Sequence, residues 1–497
     1  MDTKLPENEK AHEGNIGFQR KNSETACKDP EGEKSKPGRR QKEKPVRIVD
    51  ADQIKLAIDH FFPAGLLNKW VAEIEDPRSK EQCTYGLEHL FWLGVLLFLF
   101  RLQSRRQLVK ERETESFYRN LLDLSGSSEK NTAHPDTVNH LLEGLDTCEL
   151  EELKVRIVKR LIQDRRLEPF RFSGAFRVAL DGTGLFSFSE RHCEHCLKTE
   201  HSGGAVTYSH KMMEAKLVSE TGFALSVCSE SIENENGFYE KQDCELKAFY
   251  RMEKRLKASF PRTPLCLLLD GLYACSEVLK ICEKNFWDYF IVFKSGSIPN
   301  LYKEAIDTAT RNPHNSADFF PEKNIRQKIS WAHSLKYGKQ FLHVIFCEEF
   351  KTENGIETVT HWAWLTNIRP DHNNVFELVN KGGRQRWKIE NQGFNDQKRH
   401  DFELEHLYGH KTNAWKNYYQ LLQIAHIITQ LIIYGDLCMN LQKHSPERQN
   451  RIILPFLEYY QSIRNFVRRL AESFRNSLFS ELAYTLTGNI QIRFPSG

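Results

Sequence analysis

Two short apolar runs that end in Asp-Gly constrain the fold of this 497-residue chain more than any other feature. One is "VALDGTG", which carries Asp181; the other is "LLLDGLY", which carries Asp270. The apolar residues read as strands, the second with the continuous pattern of a strand covered on both faces. The glycine after each aspartate lets the backbone turn. An aspartate so placed stands at the rim of a sheet, where open α/β sheets bind their ligands. Taken singly, each reads equally as a turn or helix cap. If the two strands lie side by side, their carboxylates become neighbours, and these repel unless a cation sits between them.

The surrounding pattern supplies the rest of a sheet. "FRVALDGTGLFSFSE" reads as a strand, a Gly-containing turn and a second strand. "HKMMEAKLVSETGFALSVCSESI" reads as two strands joined at Thr-Gly. "CELKAFYRMEKRLKASF" has the period of an amphipathic helix. "PLCLLLDGLYA", "CSEVLKICEKN" and "FWDYFIVFK" then read as strand, helix, strand. This order predicts an α/β fold, a mixed sheet with helices on its faces. From about 301 to 383 the runs "IRQKISWAHSL", "QFLHVIFCEEF" and "ETVTHWAWLTNI" predict a β-rich insertion. Helices resume after Lys381, and the apolar "AWKNYYQLLQIAHIITQLIIYG" is expected to pack on the sheet.

Residues 1–48 are polar and aperiodic and read as disordered. The stretch "KSKPGRRQKEKPVR" within them fits a solvated tail, or a basic arm adding affinity for a phosphate backbone. Residues 49–171 read as helical, opening at "DADQIKLAIDHFF" with Asp50 or Asp52 as cap. This region is a candidate DNA-binding domain, with Arg105 and Arg106 toward phosphates. The run "LFWLGVLLFLF" is shorter than the ~20 residues a bilayer requires and reads as a buried helix. The charged beginning lacks a signal sequence's apolar segment, and twelve scattered cysteines suit a reducing compartment. The expectation is a soluble intracellular protein with no membrane partner. A net charge of +3 says little about partners by itself.

In "RWKIENQGFNDQKRH", Arg386 and Glu390 stand one helical turn apart, with Ile389 and Phe394 able to anchor them to a core. A surface helix carries such residues for solubility; a nuclease uses them to hold a metal ion against a phosphate. A glutamate crossing the rim that bears Asp181 and Asp270 would complete a set of three carboxylates. Hard oxygen donors of this kind suit Mg²⁺ or Mn²⁺.

With those three acids in this order and on these elements, the sequence resembles the DDE transposases of bacterial insertion sequences. The resemblance is to the branch with a ribonuclease H-like core, a β-strand insertion and a Tyr-Arg-Glu-Lys signature. It covers roughly residues 130 to 435 and rests on "VALDGTG", "HKMMEAKLV", "LLLDGLYA", "DYFIVFKSGSIP" and "RQRWKIENQGFNDQKRH". It implies a core split into 172–300 and 384–435 around the insertion 301–383, with helical regions at 49–171 and 436–497. It also implies that Asp181, Asp270 and Glu390 are catalytic ligands of Mg²⁺ or Mn²⁺, and that Arg386 contacts phosphate. The implied partners are double-stranded DNA, both the element's terminal inverted repeats and target DNA, and a second copy of the chain in the DNA complex. The implied location is the cytoplasm of a bacterium, at the nucleoid.

Two signature positions depart. Gly383 stands where the tyrosine is expected, and Gln397 where the lysine is, with Lys398 one place later. Lys398 lies off the Glu390 face of a regular helix. Either the helix is irregular near Gly393, or Lys398 meets DNA from another angle while Asn391 and Asn395 share the work. In such transposases an aromatic residue of the insertion stacks on a flipped base. Trp331, Trp362 and Trp364 are the candidates, the alternative being the insertion's own core. Lys294, after "YFIVF", either points at the same rim or is a solvated strand end.

A second cluster, "RHCEHCLKTEH", spaces Cys193 and Cys196 as a zinc half-site, with His192, His195, His201 and His210 nearby. A structural Zn²⁺ and a metal-free hairpin loop both fit. Competing functions are a DNA-binding relative that no longer cuts and an aspartate phosphatase. The phosphatase is disfavoured because Thr183 occupies the place of its second acid. A glycosidase is disfavoured too, because no aromatic-lined cleft can be argued.

Overall fold

The computed structural model describes residues 49–79, 81, 83–234, 242–444, 452–486, 490, 492 and 494; the basic stretch within 1–48 lies outside them. Among the described residues, eleven strands form one mixed sheet. They are β1 (Arg171–Phe172), β2 (Ala175–Phe188), β3 (Leu197–Glu200), β4 (Val206–Val218), β5 (Ala224–Ile232), β6 (Leu265–Leu269), β7 (Asp288–Val292), β8 (Ser316–Glu322), β9 (Ile325–Tyr337), β10 (Gln340–Glu353) and β11 (Ile356–Thr366). The order across the sheet is β3-β4-β2-β6-β7-β11-β10-β9-β8, with β5 also on β4 and β1 on β2. β2, β6 and β7 are parallel; the other pairings are antiparallel.

The parallel trio forms where the apolar runs are continuous, since helices cover both faces there. All of β6, "LCLLL", is buried. Its crossovers are the helices Glu245–Ser259, before it, and Ser276–Asn285, between it and β7. The β4–β5 hairpin turns at Gly222, whose φ of +110° requires glycine.

One expectation fails in an informative way. "FRVALDGTGLFSFSE" is not two strands around a turn but the single strand β2. β4 pairs with it from Val178 to Phe188 and holds it extended through both glycines, with an irregularity between Gly184 and Phe186. β6, by contrast, follows β2 only to Ala179. Asp181 therefore lies mid-strand, yet at the point where β2 outruns its parallel neighbour.

The insertion is not a separate body. Trp364, Leu365 and Thr366 of β11 pair with Val292, Ile291 and Phe290 of β7, so the β8–β11 strands continue the central sheet.

Helices close the other side. The buried helix Thr412–Tyr434 packs on β5 and on Leu87–Leu99, Pro135–Gly144 and Thr147–Gln163. It thus joins the N-terminal helical region to the sheet. The run around Leu90 is the buried helix Leu87–Leu99. Among the described residues no single helix is long and apolar enough to cross a membrane. Neither Asp50 nor Asp52 caps the first helix, Asp52–Phe61. Asp52 instead accepts hydrogen bonds from Ser480 N and Oγ at 2.9 and 2.5 Å, and Asp50 pairs with Arg469 at 3.0 Å. These acids tie the two ends of the described chain together.

One face of β4 carries charge into the core. Glu214 and Lys216 alternate on that face and are fully buried, 3.6 Å apart. Tyr419 Oη donates to Glu214 at 2.8 Å, Ser229 Oγ donates to the same oxygen, and Lys216 Nζ donates to Gln423 Oε1 at 2.7 Å. The equally buried Lys154 pairs with Glu151 at 2.6 Å and donates to Ser229.

Candidate active site at the sheet rim

The β2–β6 pairing ends at Ala179 and Leu268, so Asp181 and Asp270 each stand two residues beyond its last pair, at the same end of the two parallel strands. Asp270 follows the last residue of β6 and caps the short turn Gly271–Tyr273, its Oδ1 accepting from Leu272 N at 2.8 Å. The third acid arrives on a broken helix. Val375–Glu377 is α-helical, Leu378–Gly382 is a π turn, Gly383–Trp387 is 3₁₀, Ile389–Phe394 is again π, and Asn395–Arg399 is α-helical. The chain bends at Gly382, with φ −102° and ψ −97°.

Arg386 joins the two sides. Its Nη1 lies 3.2 Å from Asp181 Oδ2 and its Nη2 lies 3.0 Å from Glu390 Oε1. The guanidinium is buried, and its two terminal nitrogens each meet a carboxylate. Arg386, expected to contact phosphate, is here paired with both carboxylates. Burial raises the Asp181 carboxyl to about 7; Arg386 opposes the rise, while Glu390 and Glu245 add to it.

Glu245 was not anticipated from the sequence. It opens the helix Glu245–Ser259 and touches the rim from the Gly182 side. A Cβ built on Gly182 would lie 2.4 Å from Glu245 Oε1, so a larger residue there would have to push the Glu245 side chain aside. Its carboxyl is raised by burial and by Asp270, with Lys211 opposing. Tyr273 also lies buried among these acids. Its hydroxyl has no hydrogen-bond partner, and its titration is raised by burial and by Glu245, Asp270 and Asp181. An acid in a helix's first turn is commonplace, so nothing in the sequence marks Glu245 out.

Lys294 is exposed, and its Cδ lies 3.9 Å from where a Cβ on Gly271 would stand, which sets it at the rim next to Asp270. Asn391 is exposed and accepts from Asn395 Nδ2 at 3.4 Å. The π turn at Ile389–Phe394 accounts for the displaced lysine. Two α turns take ~7 residues, which from Glu390 reaches Gln397. A π turn adds one, which moves the two-turn position to Lys398. Gln397 is accordingly buried, exchanging hydrogen bonds with Gln423, while Lys398 is half-buried and pairs with Glu405 at 2.8 Å.

The tryptophan expectation is corrected. Trp331 and Trp364 are 1% and 2% exposed, inside the core of the inserted strands, and offer no ring face to a base. Trp362 is half-buried, with the Arg384 guanidinium 4.6 Å from its ring centre. The exposed indole beside the acids is Trp387, 52% exposed, with Arg386 4.9 Å from its ring centre. Trp364 also explains Gly383: a Cβ there would stand 2.6 Å from the indole. Gly383→Tyr is therefore expected to lower stability by ~1–3 kcal/mol through overpacking, read as a lower urea midpoint with an unchanged slope.

Arg105 pairs with Asp136 at 2.8 Å at the start of the helix Arg105–Glu111. Cys193 and Cys196 lie in the β2–β3 connection and meet His210 of β4.

Comparison with protein-family models and with curated proteins finds no match to this chain.

Proposed function

We propose that the chain is a divalent-metal-dependent DNA transposase, built on a ribonuclease H-like core, that cuts and joins phosphodiester bonds at the ends of its own element. The observation that carries this reading is that Arg386 bridges Asp181 and Glu390, while Asp270 stands at the same end of the parallel strands as Asp181 and acts on the same Glu245 and Tyr273. The strand order β5-β4-β2-β6-β7, three antiparallel strands followed by two parallel ones, supports the ribonuclease H-like reading.

The donor set fits a divalent ion. All the donors are carboxylate oxygens, as Mg²⁺ and Mn²⁺ prefer, and the Asp181 carboxyl is raised first by burial, with Glu390 and Glu245 adding to the rise. Asp181, Asp270 and Glu390 would hold the ion, which when bound supplies Lewis-acid stabilisation to a phosphodiester displacement. Arg386 acts as a positioning residue that fixes two of the three carboxylates. Lys294 and Asn391 flank the rim as candidate contacts for the strand, Lys398 is a further candidate on the same helix as Glu390, and Trp387 offers the face on which a base can stack.

Trp387→Ala is expected to weaken binding of frayed or single-stranded ends by about 5- to 100-fold, since one stacked base contributes ~1–3 kcal/mol. Fluorescence anisotropy reads this, and unchanged affinity removes Trp387 from the interface.

The function itself is tested with the DNA that flanks the gene. A substrate carrying both flanks, incubated with the purified full chain and Mg²⁺, is expected to show new 3′-OH ends at the flank boundaries. Asp270→Asn should bind the same DNA and leave it intact. Equal cleavage by both proteins would remove the catalytic reading; binding by both without cleavage would leave a DNA-binding relative that no longer cuts.

A further inference from the structure

We propose that Cys193, Cys196 and His210, with His192 as fourth ligand, bind one Zn²⁺ ion that staples the β2–β3 connection to β4. This site is independent of the carboxylate rim and goes beyond the function proposed above.

The argument starts from three distances. Cys193 Sγ and Cys196 Sγ are 3.7 Å apart, and each lies 3.4 Å from His210 Nε2. A tetrahedral ion with Zn–S of ~2.3 Å and Zn–N of ~2.0–2.1 Å has ligand-to-ligand edges of about 3.8 Å for S–S and about 3.6 Å for S–N. Three side chains thus already form one face of such a tetrahedron. A disulfide would require the sulfurs to close to ~2.05 Å.

The fourth position follows by comparing the neighbours. The ligand atoms of His192, Cys193 and His210 lie within 4.8 Å of one another, about 1 Å beyond the tetrahedral edge. The His192 ring is stacked on Phe188, with centroids 4.6 Å apart, and its Nδ1 is buried without a partner. His195 is engaged elsewhere, its Nδ1 2.9 Å from the Asn234 carbonyl oxygen, and His201 Nε2 is 2.8 Å from Thr207 Oγ1.

The surroundings suit a structural ion. His210 is buried against Trp415 and Phe186, with ring centroids 5.1 and 6.3 Å away, and Cys196 is fully buried. Binding releases the two thiol protons to solvent. Two thiolates, two neutral imidazoles and Zn²⁺ then carry no net charge, which favours a dry site. The sequence spacing C-x₂-C supplies one half of the site, and β4 supplies the other through a strand pairing that places His210 opposite Phe186.

The test uses the full chain, expressed without a histidine tag and purified without chelator. Elemental analysis is expected to give about one zinc per chain, falling below about a tenth in Cys193→Ser/Cys196→Ser. Asp270→Asn should retain its zinc, which separates this site from the rim. Replacing zinc by Co²⁺ in the wild-type chain is expected to give intense tetrahedral d–d bands and a sulfur-to-cobalt charge-transfer band, a readout that needs no variant to fold. His192→Ala should weaken zinc retention against a competing chelator by about 10-fold or more. Near-zero zinc after reconstitution under reducing conditions overturns the proposal, as does cobalt without the charge-transfer band. Zinc retained in full by the double-serine variant overturns it equally.

Discussion

Asp181→Asn is expected to lower strand cleavage by ~10²–10³-fold or more, the scale of losing one preorganised electrostatic partner of a reacting phosphate, while leaving the fold intact. Stability measurements separate this from simple damage. The Asp181 carboxyl titrates at about 7 in the folded chain against an ordinary value of 3.8. Between those values the folded chain holds a proton that the unfolded chain releases, so metal-free stability falls as pH rises through that window. A divalent ion competes with the same proton, so its affinity should climb across the window and level off above about 7. At a hundred times its dissociation constant, Mn²⁺ should stabilise the wild type by ~2.7 kcal/mol. The asparagine variant should lose most of that gain, and metal-free at pH 8 it should be at least as stable as the wild type. A variant that cleaves normally, or a wild type indifferent to Mn²⁺ at every pH, would remove Asp181 from the site.

Lys216→Met should cost ~3–5 kcal/mol, the penalty for leaving a buried carboxylate without its ion partner. Glu214 is fully buried; Lys216 is the cation acting on it most strongly, Lys154 acts on it more weakly, and the hydroxyls of Tyr419 and Ser229 donate to it. Hydroxyl donors do not replace a neutralising charge 3.6 Å away. Lys216→Met/Glu214→Leu removes both charges together and should recover much of the loss. Chemical denaturation of the three proteins checks this. If the single and double variants were equally destabilised, the pair would not be coupled.

The central strands were legible because their apolar runs are unbroken and their ends are marked by Asp-Gly, Thr-Gly and a helical period. Asp181 was legible as a rim residue, though for a partly mistaken reason. The sequence suggests a turn after it, whereas β4 holds β2 extended and the rim arises because β6 is shorter. Pairing partners of unequal length leave no local signal. The helix around Glu390 hid its π turn for a similar reason: the surplus residue is accommodated by tertiary packing of Ile389 and Phe394, both buried. Its trace was the lysine one place late. Glu245 and Tyr273 were invisible because an acid at a helix start and a tyrosine in a turn are ordinary residues until a fold sets carboxylates around them. For Trp331 and Trp364 the alternative of the core holds; the sequence left it open because exposure depends on which face of each inserted strand the sheet covers.

The hydrogen bonds between β11 and β7 have a mechanical consequence. A lid carried on two flexible strands could swing without disturbing what it covers; here the hairpins grow out of the same ladder that positions the chemistry. A load that twists β8–β11 must pass its torque into β7, and from there to Lys294 and the turn after Asp270. A force on the outer hairpins would therefore reach the rim through the three residue pairs that join β11 to β7.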